Sequence, residues 1–243
     1  MDYDRFVELL ENEVQIAALA FMAVLYAIKV WQLMQLNLVT DRTPNRGDPS
    51  AGARYSLMLV AMPWQLMSYR LHPVKYLEFV VFHVAIAVAI LSTFLIPYAP
   101  GLLAVPVIKW GCLLLVAAGV VGGVSRLVKR LSSPALRAVS TVDDYFSILL
   151  LTAYFALALL AIPDAATHRW TITAFFALTA FFLMYVPFSK ICHYLLWPFA
   201  RYYIGKHFGK RGVYPKQPGS AHPPGVRGHG VMEPYPVQSE AIP

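Results

Sequence analysis

The sequence predicts an all-α integral membrane protein: a five-transmembrane-helix bundle with its N-terminus outside and its C-terminus inside. Three observations carry this. Hydrophobic residues make up 58% of the 243 and charged residues only 14%, against about a quarter charged in a soluble domain, and mean hydropathy is +0.55. Five stretches, roughly 14–38, 76–98, 103–124, 144–163 and 170–197, reach the length of about 20 mostly apolar residues that crosses a bilayer. Lys and Arg gather in alternate connections, and in membrane proteins that bias marks the cytoplasmic side.

Residues 1–13 form an acidic outer segment (Asp2, Asp4, Glu8, Glu11, Glu13), which predicts no cleavable signal peptide because such a peptide starts basic. The membrane domain covers 14–200. Between its first two spans lie Arg42, Arg46, Arg54, Arg70 and Lys75, on the inner side. The same connection holds an apolar stretch, 56–67, too short to span and broken by Pro63; it predicts an interfacial segment on the inner face. Spans two and three are joined by an uncharged turn with Pro97, Pro100 and Gly101. Spans three and four are joined by a basic inner loop with Arg126, Lys129, Arg130 and Arg137. The fifth span is long for a straight crossing, and Pro187 is expected to kink it. Residues 201–211 form an inner interfacial segment, and 212–243 a Pro/Gly-rich tail without periodic apolar pattern. The net charge of +7 follows this topology, and no nucleic-acid partner is expected.

Ionisable groups inside apolar spans are costly and concentrate where there is function. Of seven histidines, His222 and His229 lie in the tail, His168 in a short outer loop and His207 beyond the fifth span. His83 and His193 instead lie within apolar segments, both in the inner half of the bilayer. Two such histidines on separate spans can hold a haem iron from both sides, an arrangement suited to electron transfer. The alternative is a neutral histidine bonded to a neighbouring carbonyl. His72, eleven residues before His83, shares its face about 16 Å away; beside Pro73, Arg70 and Lys75 it reads as a headgroup-level residue. Lys109, near the outer start of span three, either snorkels to the interface or donates to a quinone carbonyl. Gly111, Gly119, Gly122 and Gly123 smooth span three, so that a helix or a porphyrin can approach. Cys112 and Cys192 are too few for a four-cysteine iron–sulfur cluster. No phosphate loop, zinc pattern or nucleophile motif is present, and the spans lack the paired intramembrane charges of a transporter.

Three stretches carry a resemblance to the gamma (cytochrome b) subunit of respiratory nitrate reductase and its relatives in sulfite-reductase-associated and heterodisulfide-reductase-like complexes. They are Phe82-His83-Val84; Arg130-Leu131-Ser132-Ser133-Pro134-Ala135-Leu136-Arg137-Ala138 with Thr141, Asp144 and Ile162-Pro163; and Val186-Pro187-Phe188-Ser189-Lys190 leading to His193 and Pro198. The likeness covers roughly residues 76–200. It implies a prokaryotic cytoplasmic-membrane subunit that exchanges electrons with menaquinone or ubiquinone through haem b, and passes them to or from an iron–sulfur subunit and further redox subunits on the inner face. His83 and His193 match the inner haem's ligands, Arg130 and Arg137 match positions able to meet its propionates, and Lys109 matches the quinone-site lysine. The outer haem's ligands are absent: Thr93 and Phe175 stand in their places. The resemblance therefore implies a one-haem variant that does no substrate chemistry of its own. The alternative is a haem-free or haem-structural membrane anchor for a peripheral redox complex.

Overall fold

The computed structural model describes residues 3–36, 44–62, 64, 71–163 and 169–215. The tail beyond 215 with His222 and His229, the loop residue His168, and Arg42, Pro63 and Arg70 lie outside the described residues. All regular structure among the described residues is helical. Five helices are long and apolar enough to cross a membrane: Tyr3–Met34, Pro73–Tyr98, Pro106–Ser132, Val142–Ala161 and Trp170–Phe188. In chain order the helices are α1 (Tyr3–Met34), α2 (Pro49–Met58), α3 (Pro73–Tyr98), α4 (Pro100–Ala104), α5 (Pro106–Ser132), α6 (Pro134–Val139), α7 (Val142–Ala161), α8 (Arg169–Tyr185) and α9 (His193–Lys210).

The starts follow local chemistry. Helices α2 to α6 each begin on a proline, whose missing N–H costs nothing in the first turn. Helix α7 begins with a reciprocal cap between Thr141 and Asp144, a Thr-x-x-acid pattern legible in the sequence. Two boundaries differ from the expectation. Helix α1 begins at Tyr3 rather than near residue 14, and accommodates the acidic stretch through a π turn over Leu10–Val14. The fifth membrane-length helix does not run on to residue 197. Pro187 ends it rather than kinking it: α8 stops at Tyr185, and two 3-10 turns, Val186–Phe188 and Lys190–Cys192, precede α9.

The chain forms two compact units, with the boundary at Pro198–Phe199 inside α9. In the larger unit α5 packs against both α3 and α7, α7 against α8, and α8 against α1. The glycine stripe of α5 serves these helix contacts. A Cβ at Gly119 would lie 2.9 Å from the Ala85 Cβ, one at Gly122 3.1 Å from Phe82, and one at Gly123 2.2 Å from the Thr152 hydroxyl, whereas Gly111 meets nothing. The core is aromatic at its centre, with Phe155, Phe175 and Phe176 fully buried.

The smaller unit pairs α2 with the C-terminal part of α9, which is helical as far as Lys210. Its close crossing admits only glycine. A Cβ at Gly52 would stand 2.4 Å from the Gly205 carbonyl oxygen, and one at Gly209 2.4 Å from that of Asp48. Arg46 N–H donates to the Lys210 carbonyl at 2.8 Å, and Arg201 Nε to that of Ser56 at 3.2 Å. Gly205→Leu is expected to force this pair apart at a cost of about 1–3 kcal/mol, the usual range for overpacking. Limited proteolysis checks it: faster cleavage between residues 44 and 60 than in wild type is expected, and an unchanged rate counts against the packing account.

Candidate functional site

His83 lies in the first half of α3. A neutral imidazole Nδ1 facing a carbonyl must carry the proton, because the carbonyl only accepts. His83 Nδ1 donates to the Phe79 carbonyl one turn back at 2.8 Å, and His193 Nδ1 donates to the Lys190 carbonyl at 3.0 Å. Both backbone bonds therefore leave Nε2 as the ring atom with a free lone pair. The two rings are neighbours, with centroids 6.5 Å apart and planes at 83°, an edge-on arrangement. Phe79 packs on His83 at 4.1 Å between centroids, and Phe82 lies beside it at 6.2 Å. His83 is half-buried and His193 exposed, so neither is a histidine sealed in the core.

The break at Pro187 places His193. After the first 3-10 turn, Ser189 is extended (φ −96°, ψ 169°) and buried, and its Oγ accepts from Ile191 N–H at 3.1 Å to start the next turn. The N-terminus of α7 holds that turn in place. Lys190 N–H donates to Asp143 Oδ2 at 3.0 Å, and Lys190 Nζ donates to Asp144 Oδ2 at 2.7 Å and to Thr141 Oγ1 at 2.9 Å. Tyr185, at the end of α8, donates its hydroxyl to the other Asp143 oxygen. Asp144 Oδ2 also accepts from Thr141 N–H at 2.7 Å, closing the helix cap. On the far side of the His193 turn, the Tyr194 and Tyr26 hydroxyls share a hydrogen bond that ties it to α1.

Asp143, Asp144 and Lys190 are thus positioning residues that reasoning about histidines alone missed; the capping pattern at 141–144 is the signal that could have found them. Asp144→Ala removes the cap and the ion pairs to Lys190 and Arg130, and is expected to cost about 1–2 kcal/mol, most of it from the cap. Thermal unfolding of the detergent-solubilised protein checks this, and an unchanged midpoint argues that the His193 turn is held by other contacts.

A cleft of about 330 Å³ opens beside His193, lined by Arg126, Lys129, Arg130, Asp144, Ser147 and Lys190 among others. Arg130 lines it, its guanidinium donating to Ser140 Oγ at 2.6 Å and lying 3.6 Å from Asp144. Arg137 does not line it and is exposed on α6. Arg126 does line it, with its guanidinium carbon 4.1 Å from the centre of the Phe82 ring.

The far end of the bundle is built differently. Phe175 is fully buried and stacked on Tyr154, with centroids 5.4 Å apart and planes at 16°, and the Tyr154 hydroxyl donates to the Ala89 carbonyl at 3.2 Å. Thr93 returns its hydroxyl to the Ile90 carbonyl of its own helix at 2.7 Å. Lys109 Nζ donates to the Pro163 carbonyl at 2.9 Å, capping the C-terminal end of α7. His72 is the exposed residue preceding α3, and His207 lies in the last turn of α9, in the smaller unit.

Among the described residues no group of three or more His, Cys, Asp or Glu converges to hold a bare metal ion. The chain matches no family model, and no curated protein matches it. The fold and site together define a helical protein with five membrane-length helices and a neighbouring pair of histidines, one of which, His193, lines a cation-rich cleft.

Proposed function

We propose that this protein is a haem b-bearing membrane subunit of a respiratory redox complex, carrying electrons between quinol or quinone and an iron–sulfur subunit on the inner face. The observation that carries the reading is the His83–His193 pair. Their ring centroids lie 6.5 Å apart, and the two histidines would hold the iron through their Nε2 atoms. Among the described residues no third such side chain joins the pair, which suits a metal whose remaining positions a macrocycle would fill. The Phe79 and Lys190 carbonyls that accept from Nδ1 play the part of outer-shell partners: they fix the tautomer and hold the ring orientation.

Held by His83 and His193, haem b would supply a one-electron relay. The chain's own work is to orient the two imidazoles, surround them with cations and keep the path apolar. One such centre is supported, not two, because the far end carries the stacked Phe175–Tyr154 pair and a Thr93 hydroxyl already bonded to its own helix. Lys109, committed to the Pro163 carbonyl, supports a helix-capping task better than a quinone contact. The distribution of Lys and Arg supports an N-outside, C-inside arrangement, with the His83 and His193 ends of their helices on the inner side. The partner would then be a soluble or peripheral iron–sulfur protein, and the exchangeable substrate menaquinone or ubiquinone.

A reduced-minus-oxidised absorption spectrum of the purified full chain tests the reading. A b-type band is expected; its absence would leave the membrane-anchor reading, in which a His193→Ala protein still assembles and supports full quinol-linked turnover.

A further inference from the structure

The cations around the cleft are not equally occupied. Lys129 Nζ donates to both oxygens of Glu78 at 3.0 and 2.9 Å, Lys190 is held by Asp144, and Arg130 by Ser140 and Asp144. Arg126 differs. Its Nε is buried without a hydrogen-bond partner, its guanidinium lies over the Phe82 ring at 4.1 Å, and Phe82 is the neighbour of His83. Arg126 is half-buried and the Glu78 carboxylate that holds Lys129 also acts on its charge, but no acceptor meets its Nε; a guanidinium's planar fork matches a carboxylate in two-point contact.

Resting on the haem reading, we infer that Arg126 is the anion-receiving cation of this cleft, taking a carboxylate of the porphyrin, and that its charge raises the reduction potential of the centre. The electrostatic sign follows from the electron count. Reduction of ferric to ferrous iron adds one negative charge, and a fixed cation nearby stabilises the more negative state. Arg137, exposed and outside the cleft, has no such role.

The test is a potentiometric redox titration, with haem content read from the absorption spectrum, on the full chain and its R126Q, R126K and R137Q variants. R126Q is expected to lower the midpoint potential by at least about 59 mV, a tenfold change in a one-electron equilibrium. R126K keeps the charge and R137Q leaves the cleft intact, so both are expected to stay inside that window. If R126Q loses its haem while R126K keeps both haem and potential, the inference stands. R126Q at the wild-type potential overturns it and leaves the haem reading intact. R126K falling as far as R126Q also overturns it, because the effect then belongs to packing on Phe82 and not to charge. A wild-type chain without any b-type band removes the haem reading and this inference together.

Discussion

His83→Ala is expected to abolish the b-type absorbance of the purified chain, and His193→Ala to do the same, while both variants keep their helical content. The expected loss exceeds the roughly 10–100-fold drop in metal affinity that follows removal of an outer-shell partner, because each substitution removes one axial ligand outright. Neither histidine is a packing residue that the fold needs. His83 is half-buried, His193 is exposed, and each ring Nδ1 donates to a carbonyl of its own stretch of chain. Circular dichroism alongside the reduced-minus-oxidised spectrum separates the outcomes. Loss of the band with helicity retained supports the ligand roles; a band that survives both substitutions rules them out. His72→Ala and His207→Ala serve as controls and are expected to leave the band unchanged.

Phe175→Ala is expected to destabilise the larger unit by about 3 kcal/mol, the low end of the range for truncating a buried phenylalanine. The low end applies because lipid, not water, surrounds separated transmembrane helices, so mainly the packing component is lost. Phe175 has no exposed surface, stacks on Tyr154 and meets Phe176 at 5.4 Å between centroids. Denaturation of the solubilised protein in mixed micelles measures the effect, with Val107→Ala at a position 84% exposed as the near-neutral control. Equal stability of the two variants would remove the claim that this aromatic cluster is what fills the far end of the bundle. Phe175→His is expected to add no second b-type centre, because Thr93, at the other place where the resemblance calls for a ligand, has only a hydroxyl and bonds it to Ile90.

Much of this architecture was legible in the sequence because lipid imposes a simple rule. A span must be apolar for its whole length, so α3, α5 and α7 could be read from hydropathy to within a few residues of their ends in most cases. Local chemistry was legible too: the capping pattern at Thr141–Asp144 and the prolines that open the helices depend only on nearby backbone groups. The N-terminus of α1 was misjudged because acidic residues look like a terminus, yet four of them (Asp4, Glu8, Glu11, Glu13) lie on the helix. Pro187 was visible, but whether a proline bends a helix or ends it depends on what receives the freed backbone groups. Here Ser189 and Asp143 receive them and a new turn begins.

By itself the sequence determined the class: a helical chain with five membrane-length apolar stretches, and two histidines set inside apolar surroundings. It could nominate Arg130 and Arg137 equally, since the resemblance matches both to positions able to meet propionates. Only the tertiary structure decided that the rings of His83 and His193 lie 6.5 Å apart, that Arg126 joins Arg130 at the cleft, and that Arg137 does not. The physical reason is range. Hydropathy and capping are set by neighbours along the chain, whereas the meeting of residues from α3, α5, α7 and the turn before α9 depends on how the helices pack, and that is settled by side chains far apart in sequence, such as Gly122 against Phe82 and Gly123 against Thr152.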